Sequence, residues 1–169
     1  MNEKEQKYIF DDWLSSHKAL IFKIVRAYAF TIADRDDLFQ EIIIQVWHSI
    51  PSFRKESSII TWIYRVSLNT AIKWTKKERK HSQSEAIEKI EHILQESRIQ
   101  TDERLVWLYE EIYKLDEIDR SITLLLLDGF SYKEMASILG ITESNVGVKI
   151  NRIKKLLIAK TKKHDYYGI

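Results

Sequence analysis

The chain has 169 residues, room for one large domain or two small ones, and 44% of them are hydrophobic, enough to bury a core. One proline and four glycines fall far below the usual shares of about 5% and 7%; this excludes folds that need many turn residues and leaves an all-α fold. Cysteine is absent and the net charge is only +2, so there is no disulfide frame, no thiolate metal site and no Cys nucleophile.

The opening MNEKEQKYIF is charged and lacks the apolar core of a signal peptide. No apolar run approaches the ~18 residues of a membrane span, so a soluble, cytoplasmic protein is expected. Leu20, Ile21, Ile24, Val25 and Tyr28 are the first amphipathic run at helical spacing, and Phe10, Trp13 and Leu14 extend it upstream. Asp34, Asp36 and Asp37 cluster before Leu38, where carboxylates suit the start of a helix. The trio can be imagined as a metal site, but the cap is the better reading. Leu38, Ile42, Val46 and Ile50 then recur every fourth residue until Pro51 stops the helix.

A polar loop, Ser52 to Ser58, leads to a third helix over about Ile59–Lys80, with Ile59, Trp62, Ile63, Val66, Thr70 and Trp74 on or near one face. Residues 54–81 carry eight bases against two acids, a net +6. Aromatics (Phe53, Trp62, Tyr64, Trp74) interleave with cations there, as suits single-stranded or distorted DNA on which bases stack. Taken singly, Trp62 and Trp74 read better as core. Residues 82–119 are acidic, net −7, and 81–104 read as an interdomain linker with some helical tendency around Ile87, Ile90, Ile93 and Leu94.

Leu105, Leu108, Ile112 and Leu115 begin a second domain. Ile122, Leu125 and Leu126 form the next stripe, closed by Asp128-Gly129. Ser131 and Glu134 form a capping box opening a short helix, Gly140 takes the turn after it, and Thr142 caps a last helix bearing Val146, Ile150, Ile153 and Leu157. Ala136, Gly140 and Val146 have the spacing of a helix-turn-helix: the alanine allows close crossing, the glycine turns, and the valine packs back. The outward face of the last helix offers Ser144, Asn145, Val148, Lys149, Asn151, Arg152 and Lys155, side chains suited to base edges and phosphates. Residues 144–169 carry a net +6. Two readings stand: a DNA-binding domain, or a plain three-helix domain whose basic face is solvated. Gly147 inside that helix costs about 1 kcal/mol relative to Ala, a cost that close backbone approach to DNA would justify and that neutral drift explains equally well.

Together these segments resemble the extracytoplasmic-function group of bacterial sigma factors, over about residues 15–80 and 105–160. The stretch DDLFQEIIIQVWHSIPSF, Asp36 to Phe53, is similar to the helix that binds the clamp coiled coil of RNA polymerase. FRKESSIITWIYRVSLNTAIKW, Phe53 to Trp74, is similar to the loop and helix that capture and melt the −10 element. The stretch Leu115 to Leu157 is similar to the domain that reads the −35 element. The resemblance implies a helical bundle (region 2, residues 1–80), an acidic linker (81–104) and a helix-turn-helix domain (region 4, 105–169), with no extra terminal region, as in the minimal group.

It further implies contacts to core polymerase at Asp37, Gln40 and Glu41. Phe53, Ser57 and Ser58 would pocket a flipped −10 base, Asn69 would lie near that base, and Lys73, Lys76 and Lys77 would hold the backbone. On the −35 side it implies Asn145, Lys149, Asn151 and Arg152, with Ser144 and Lys155 completing the face. The family often has an acid where Lys73 stands, which speaks against a base-specific role for it, and often a base where Gly147 stands, so the −35 preference would differ from the commonest one. Promoter DNA, core RNA polymerase and an anti-sigma factor are the implied partners, with no cofactor, no metal and no membrane insertion. The acidic linker, with Glu85, Glu88 and Glu91, would repel DNA and shield the basic faces of the free protein. The rival readings are a stand-alone helix-turn-helix regulator and a purely protein-binding helical module. An enzyme is disfavoured: His17, His48, His81, His92 and His164 are scattered without ligand spacing, and there is no nucleophile motif or phosphate-cradling glycine loop.

Overall fold

A computed structural model describes residues 1–81 and 102–167, and among the described residues every regular element is helical. The expected contributions of Ile87, Ile90, Ile93, Leu94, Glu85, Glu88 and Glu91 lie outside the described residues. The chain divides into two compact units, Met1–Tyr113 and Lys114–Ile169.

In the first unit, α1 (Glu3–Tyr28) opens with a capping box: Asn2 Oδ1 accepts from the Glu5 amide at 2.9 Å and Glu5 Oε2 accepts from the Asn2 amide at 3.0 Å. Its core face is the expected one, Leu20, Ile21, Ile24, Val25 and Tyr28, with Trp13 buried upstream. The second helix, α2 (Ile32–Ser49), starts earlier than expected. Its N-cap is Thr31, whose Oγ1 accepts from the Asp34 amide at 3.0 Å, so Asp34 falls in the first turn and Asp36 and Asp37 lie beyond it. Leu38, Ile42 and Val46 are buried, each burial worth about 1.5–3 kcal/mol. Pro51 converts the end of α2 into a single 3₁₀ turn, Ile50–Ser52. After the loop, α3 (Ile59–His81) buries Ile63, Tyr64, Leu68 and Ala71. The three helices pack mutually into a bundle. A fourth, α4 (Glu103–Tyr113), lies on α1, with the Arg26 guanidinium 4.3 Å from the centre of the Tyr109 ring and Phe30 5.3 Å from Tyr113.

The second unit contains α5 (Glu117–Leu127), α6 (Tyr132–Leu139) and α7 (Glu143–Tyr167). The amides of Gly129 and Phe130 bond back to the carbonyls of Leu126 and Leu125, a Schellman ending at the expected Asp128-Gly129. The Ser131–Glu134 capping box is formed on both sides. Met135, Ala136 and Ile138 of α6 and Val146, Ile150 and Ile153 of α7 are buried, and α7 packs on both α5 and α6. Gly140 takes the turn at φ 68. A built Cβ there meets nothing within 4 Å, so the conformation and not space selects the glycine. Gly140→Ala should therefore lower stability by about 1 kcal/mol, read as a drop in thermal midpoint, without altering the helical content.

Candidate functional site

Two rows of side chains face each other across a groove of about 500 Å³ between α2 and α3. On α2 the row is Asp37, Glu41 and Gln45; on α3 it is Asn69, Lys73 and Lys77. Both rows run at i, i+4, so each occupies one helix face. The groove thus brings the two expected polymerase-binding acids, Asp37 and Glu41, together with three of the expected −10 residues, Asn69, Lys73 and Lys77, while Phe53, Ser57 and Ser58 lie apart from it in the loop before α3. Trp74 joins the two rows: its Nε1 donates to Asp37 Oδ2 at 2.8 Å. Glu41 Oε1 accepts from Gln45 Nε2 at 3.1 Å. Gln40 and Lys76 are exposed beside the groove and do not line it. Trp74 and Trp62, expected in the core, are half-buried.

The loop before α3 is braced by aromatics. Phe53 is half-buried, edge-on to Trp13 at 5.2 Å and tilted against Trp62 at 5.4 Å, while Trp62 Nε1 donates to Ser49 Oγ at 3.1 Å. Phe53 is thus a wall of the loop, anchored to α1 and α3. Ser58 caps α3, its Oγ accepting from the Thr61 amide at 3.2 Å, and Ser57 is half-buried beside it. Lys55, at the tip, holds φ 59, the left-handed region that costs a side-chain-bearing residue about 1–2 kcal/mol. Lys55→Gly should leave the thermal midpoint unchanged or raised, since relief of strain offsets the added chain entropy. Lys55→Val should cost about 1–3 kcal/mol of stability and lower the midpoint; equal melting of the two variants would show that the loop is not strained.

In the second unit, Thr142 Oγ1 accepts from the Asn145 amide at 3.1 Å and opens α7. Ser144, Asn145, Asn151 and Lys155 are exposed, and Val148 lies among them 67% exposed. Lys149 and Arg152 are held differently. Lys149 Nζ is 2.7 Å from Asp119 Oδ1, and Arg152 Nη2 is 2.6 Å from Asp119 Oδ2. Hydrogen bonding to Asp119, reinforced by its charge, holds the Arg152 pKa above the ordinary arginine value. A Cβ on Gly147 would sit 3.5 Å from the Tyr132 ring, an ordinary contact, so packing tolerates alanine there.

Sequence reasoning missed Asp119 and the Asp37–Trp74 bond. Asp119 stands three residues after the N-cap Asp116, where an acid reads as an ordinary first-turn residue. The Asp34, Asp36 and Asp37 trio forms no metal site, and among the described residues no three His, Cys, Asp or Glu side chains gather to hold an ion. No described helix is long and apolar enough to cross a membrane.

The comparisons with known proteins also divide the chain in two, but they count α4, which lies in the first compact unit, with the second part. The Sigma-70 region 2 family matches residues 13–81, and the Sigma-70, region 4 family matches residues 105–157. The ECF RNA polymerase sigma-E factor of Escherichia coli K12 is 30% identical over 138 residues, 73% of this chain and 72% of that protein. The RNA polymerase sigma factor YlaC of Bacillus subtilis is 31% identical over 125 residues, 70% of this chain and 72% of that protein. The fold is shared with the sigma factor RpoE of Bartonella quintana, solved with the anti-sigma factor NepR: TM-score 0.70 at 19% identity, covering 90% of this chain and 96% of that one. It is shared also with CnrH, solved with the cytosolic domain of CnrY: TM-score 0.67 at 20% identity, covering 93% and 90%.

Proposed function

Because the chain belongs to the extracytoplasmic-function RNA polymerase sigma factors, transcription initiation factors rather than enzymes, we propose a division of its promoter-recognition work among named residues. Residues 1–80 act as region 2, 81–104 as an acidic linker and 105–169 as region 4. Asp37, Gln40 and Glu41 contact core polymerase. Phe53, Ser57, Ser58 and Asn69 receive a −10 base, and Lys73, Lys76 and Lys77 hold the adjoining backbone. Ser144, Asn145, Lys149, Asn151, Arg152 and Lys155 form the −35 face. The protein works in the cytoplasm, and an anti-sigma factor restrains it, as the NepR partner of the Bartonella RpoE suggests.

The observation that carries this reading is the groove in which an acidic row and a basic row meet at Trp74. A stand-alone helix-turn-helix regulator has no use for it. Mechanistically, each DNA contact alone is weak. Once core polymerase fixes their separation, the second contact becomes intramolecular and avidity rises. The helix-turn-helix enters the −35 major groove, and capture of unpaired −10 bases offsets unstacking that costs a few kcal/mol. The test is reconstitution with purified bacterial core RNA polymerase on a library of genomic promoter fragments. Run-off transcripts from a shared promoter sequence support the reading. Sequence-selective duplex binding without polymerase, and no transcripts with it, would move the assignment to a stand-alone regulator.

A further inference from the structure

We propose that Asp119 is a positioning residue that sets the selectivity of −35 recognition, by holding Lys149 and Arg152 away from indiscriminate attraction to phosphate. The inference rests on the −35 reading of α7 given above. Asp119 projects from α5 with its side chain only 7% exposed, and each carboxylate oxygen takes one cation, at 2.7 and 2.6 Å. A buried carboxylate is costly unless paired, so these contacts persist. Lys149 and Arg152 are three residues apart on α7, on the face turned toward α5. The Lys149 side chain is 20% exposed, whereas that of Arg152 is 62% exposed, with one guanidinium nitrogen on Asp119. The guanidinium is therefore oriented from behind while its outer N–H groups face solvent.

The consequence is a recognition helix with two kinds of surface. Ser144, Val148, Asn151 and Lys155 make an exposed stripe that is mostly uncharged, suited to reading base edges. Beside it, two positive charges share one negative charge. Each phosphate neutralised by a protein cation steepens the dependence of log affinity on log salt by about 0.9 in duplex DNA. Cations already balanced by Asp119 contribute less to that sequence-independent attraction.

The test uses holoenzyme, with core RNA polymerase, on a mapped promoter duplex and on the same duplex with its −35 element scrambled, over about 50–200 mM salt. In Asp119→Asn the salt slope on scrambled DNA should steepen by about 1–2. The ratio of promoter to scrambled affinity should fall about tenfold, because the freed cations bind phosphate of any sequence. A thermal melt keeps the variant within its folded range. A merely structural role for Asp119 weakens both duplexes alike and leaves the slope unchanged, which overturns the proposal.

Lys149→Gln gives an independent reading should Asp119→Asn fail to fold. It should shift the slope by less than about 0.5, because the charge removed was balanced by Asp119; a fall near 0.9 would mark Lys149 as a free phosphate contact and overturn the proposal. Wild-type holoenzyme that does not distinguish the two duplexes overturns the −35 reading itself. A selective wild type with a selective, unshifted Asp119→Asn overturns this inference alone.

Discussion

Charge reversal of Asp37 and Glu41 together with Gln40→Lys should abolish stoichiometric co-elution with bacterial core RNA polymerase on size exclusion. Asp37 and Gln40 are exposed and Glu41 is half-buried in the groove, while the helix is held to the bundle by the buried Leu38, Ile42 and Val46. The substitutions leave that core intact. Their main local loss is the bond from Trp74 Nε1 to the Asp37 carboxylate, worth about 1.5–3 kcal/mol at most for this exposed pair. Folding is therefore expected to survive, as a circular-dichroism melt will verify. Binding is another matter: truncating charged partners at interface centres costs about 2–5 kcal/mol, and reversal adds like-charge repulsion. The two reversals with the charge added at Gln40 should weaken the complex by more than about a thousandfold. Asp37→Asn gives the finer reading, because the amide oxygen still accepts from Trp74 while the charge is lost. A fall of about tenfold for that variant alone assigns the effect to charge. Persistent co-elution of a folded triple variant would place the polymerase contact elsewhere on region 2.

What the sequence made legible, and what it hid, divides by range. Helix ends were readable because cap chemistry is local. Pro51, Asp128-Gly129, the Ser131–Glu134 box, Gly140 and Thr142 all act where their side chains or backbone angles suggested. The start of α2 was misplaced for the same reason in reverse. Three aspartates imitate a cap, and Thr31, a weaker signal, is the residue that makes the bond. Trp62 and Trp74 lie at the edge of the core stripe of α3, so periodicity could not separate a buried ring from a half-buried one that donates to Ser49 or Asp37. The Asp119 cluster was out of reach altogether. Its partners are 30 and 33 residues away, and helical patterning within α7 makes Lys149 and Arg152 look like free cations. The groove pairing Asp37, Glu41 and Gln45 with Asn69, Lys73 and Lys77 likewise depends on how α2 packs on α3, which no single helix encodes.

Asn145→Ala and Asn151→Ala should each relax base preference at one position of the −35 element, whereas Lys155→Gln should weaken binding evenly across sequences. The distinction follows from side-chain chemistry. An asparagine amide offers a donor and an acceptor together and pairs bidentately with adenine in the major groove, worth about 1–3 kcal/mol of discrimination. Both asparagines are exposed on α7, and neither is needed by the core beneath, which Val146, Ile150 and Ile153 supply. Asn145 donates its backbone amide to Thr142, so the helix start survives loss of its side chain. Lys155 is a single exposed cation, and its neutralisation should reduce the salt slope by about 0.9 with no change in preferred sequence. Selection of randomised −35 duplexes by each holoenzyme, followed by salt titration, separates the two classes. If Asn145→Ala and Asn151→Ala instead lower affinity without broadening the selected sequences, these residues hold phosphate, and base reading falls to Ser144 and Val148.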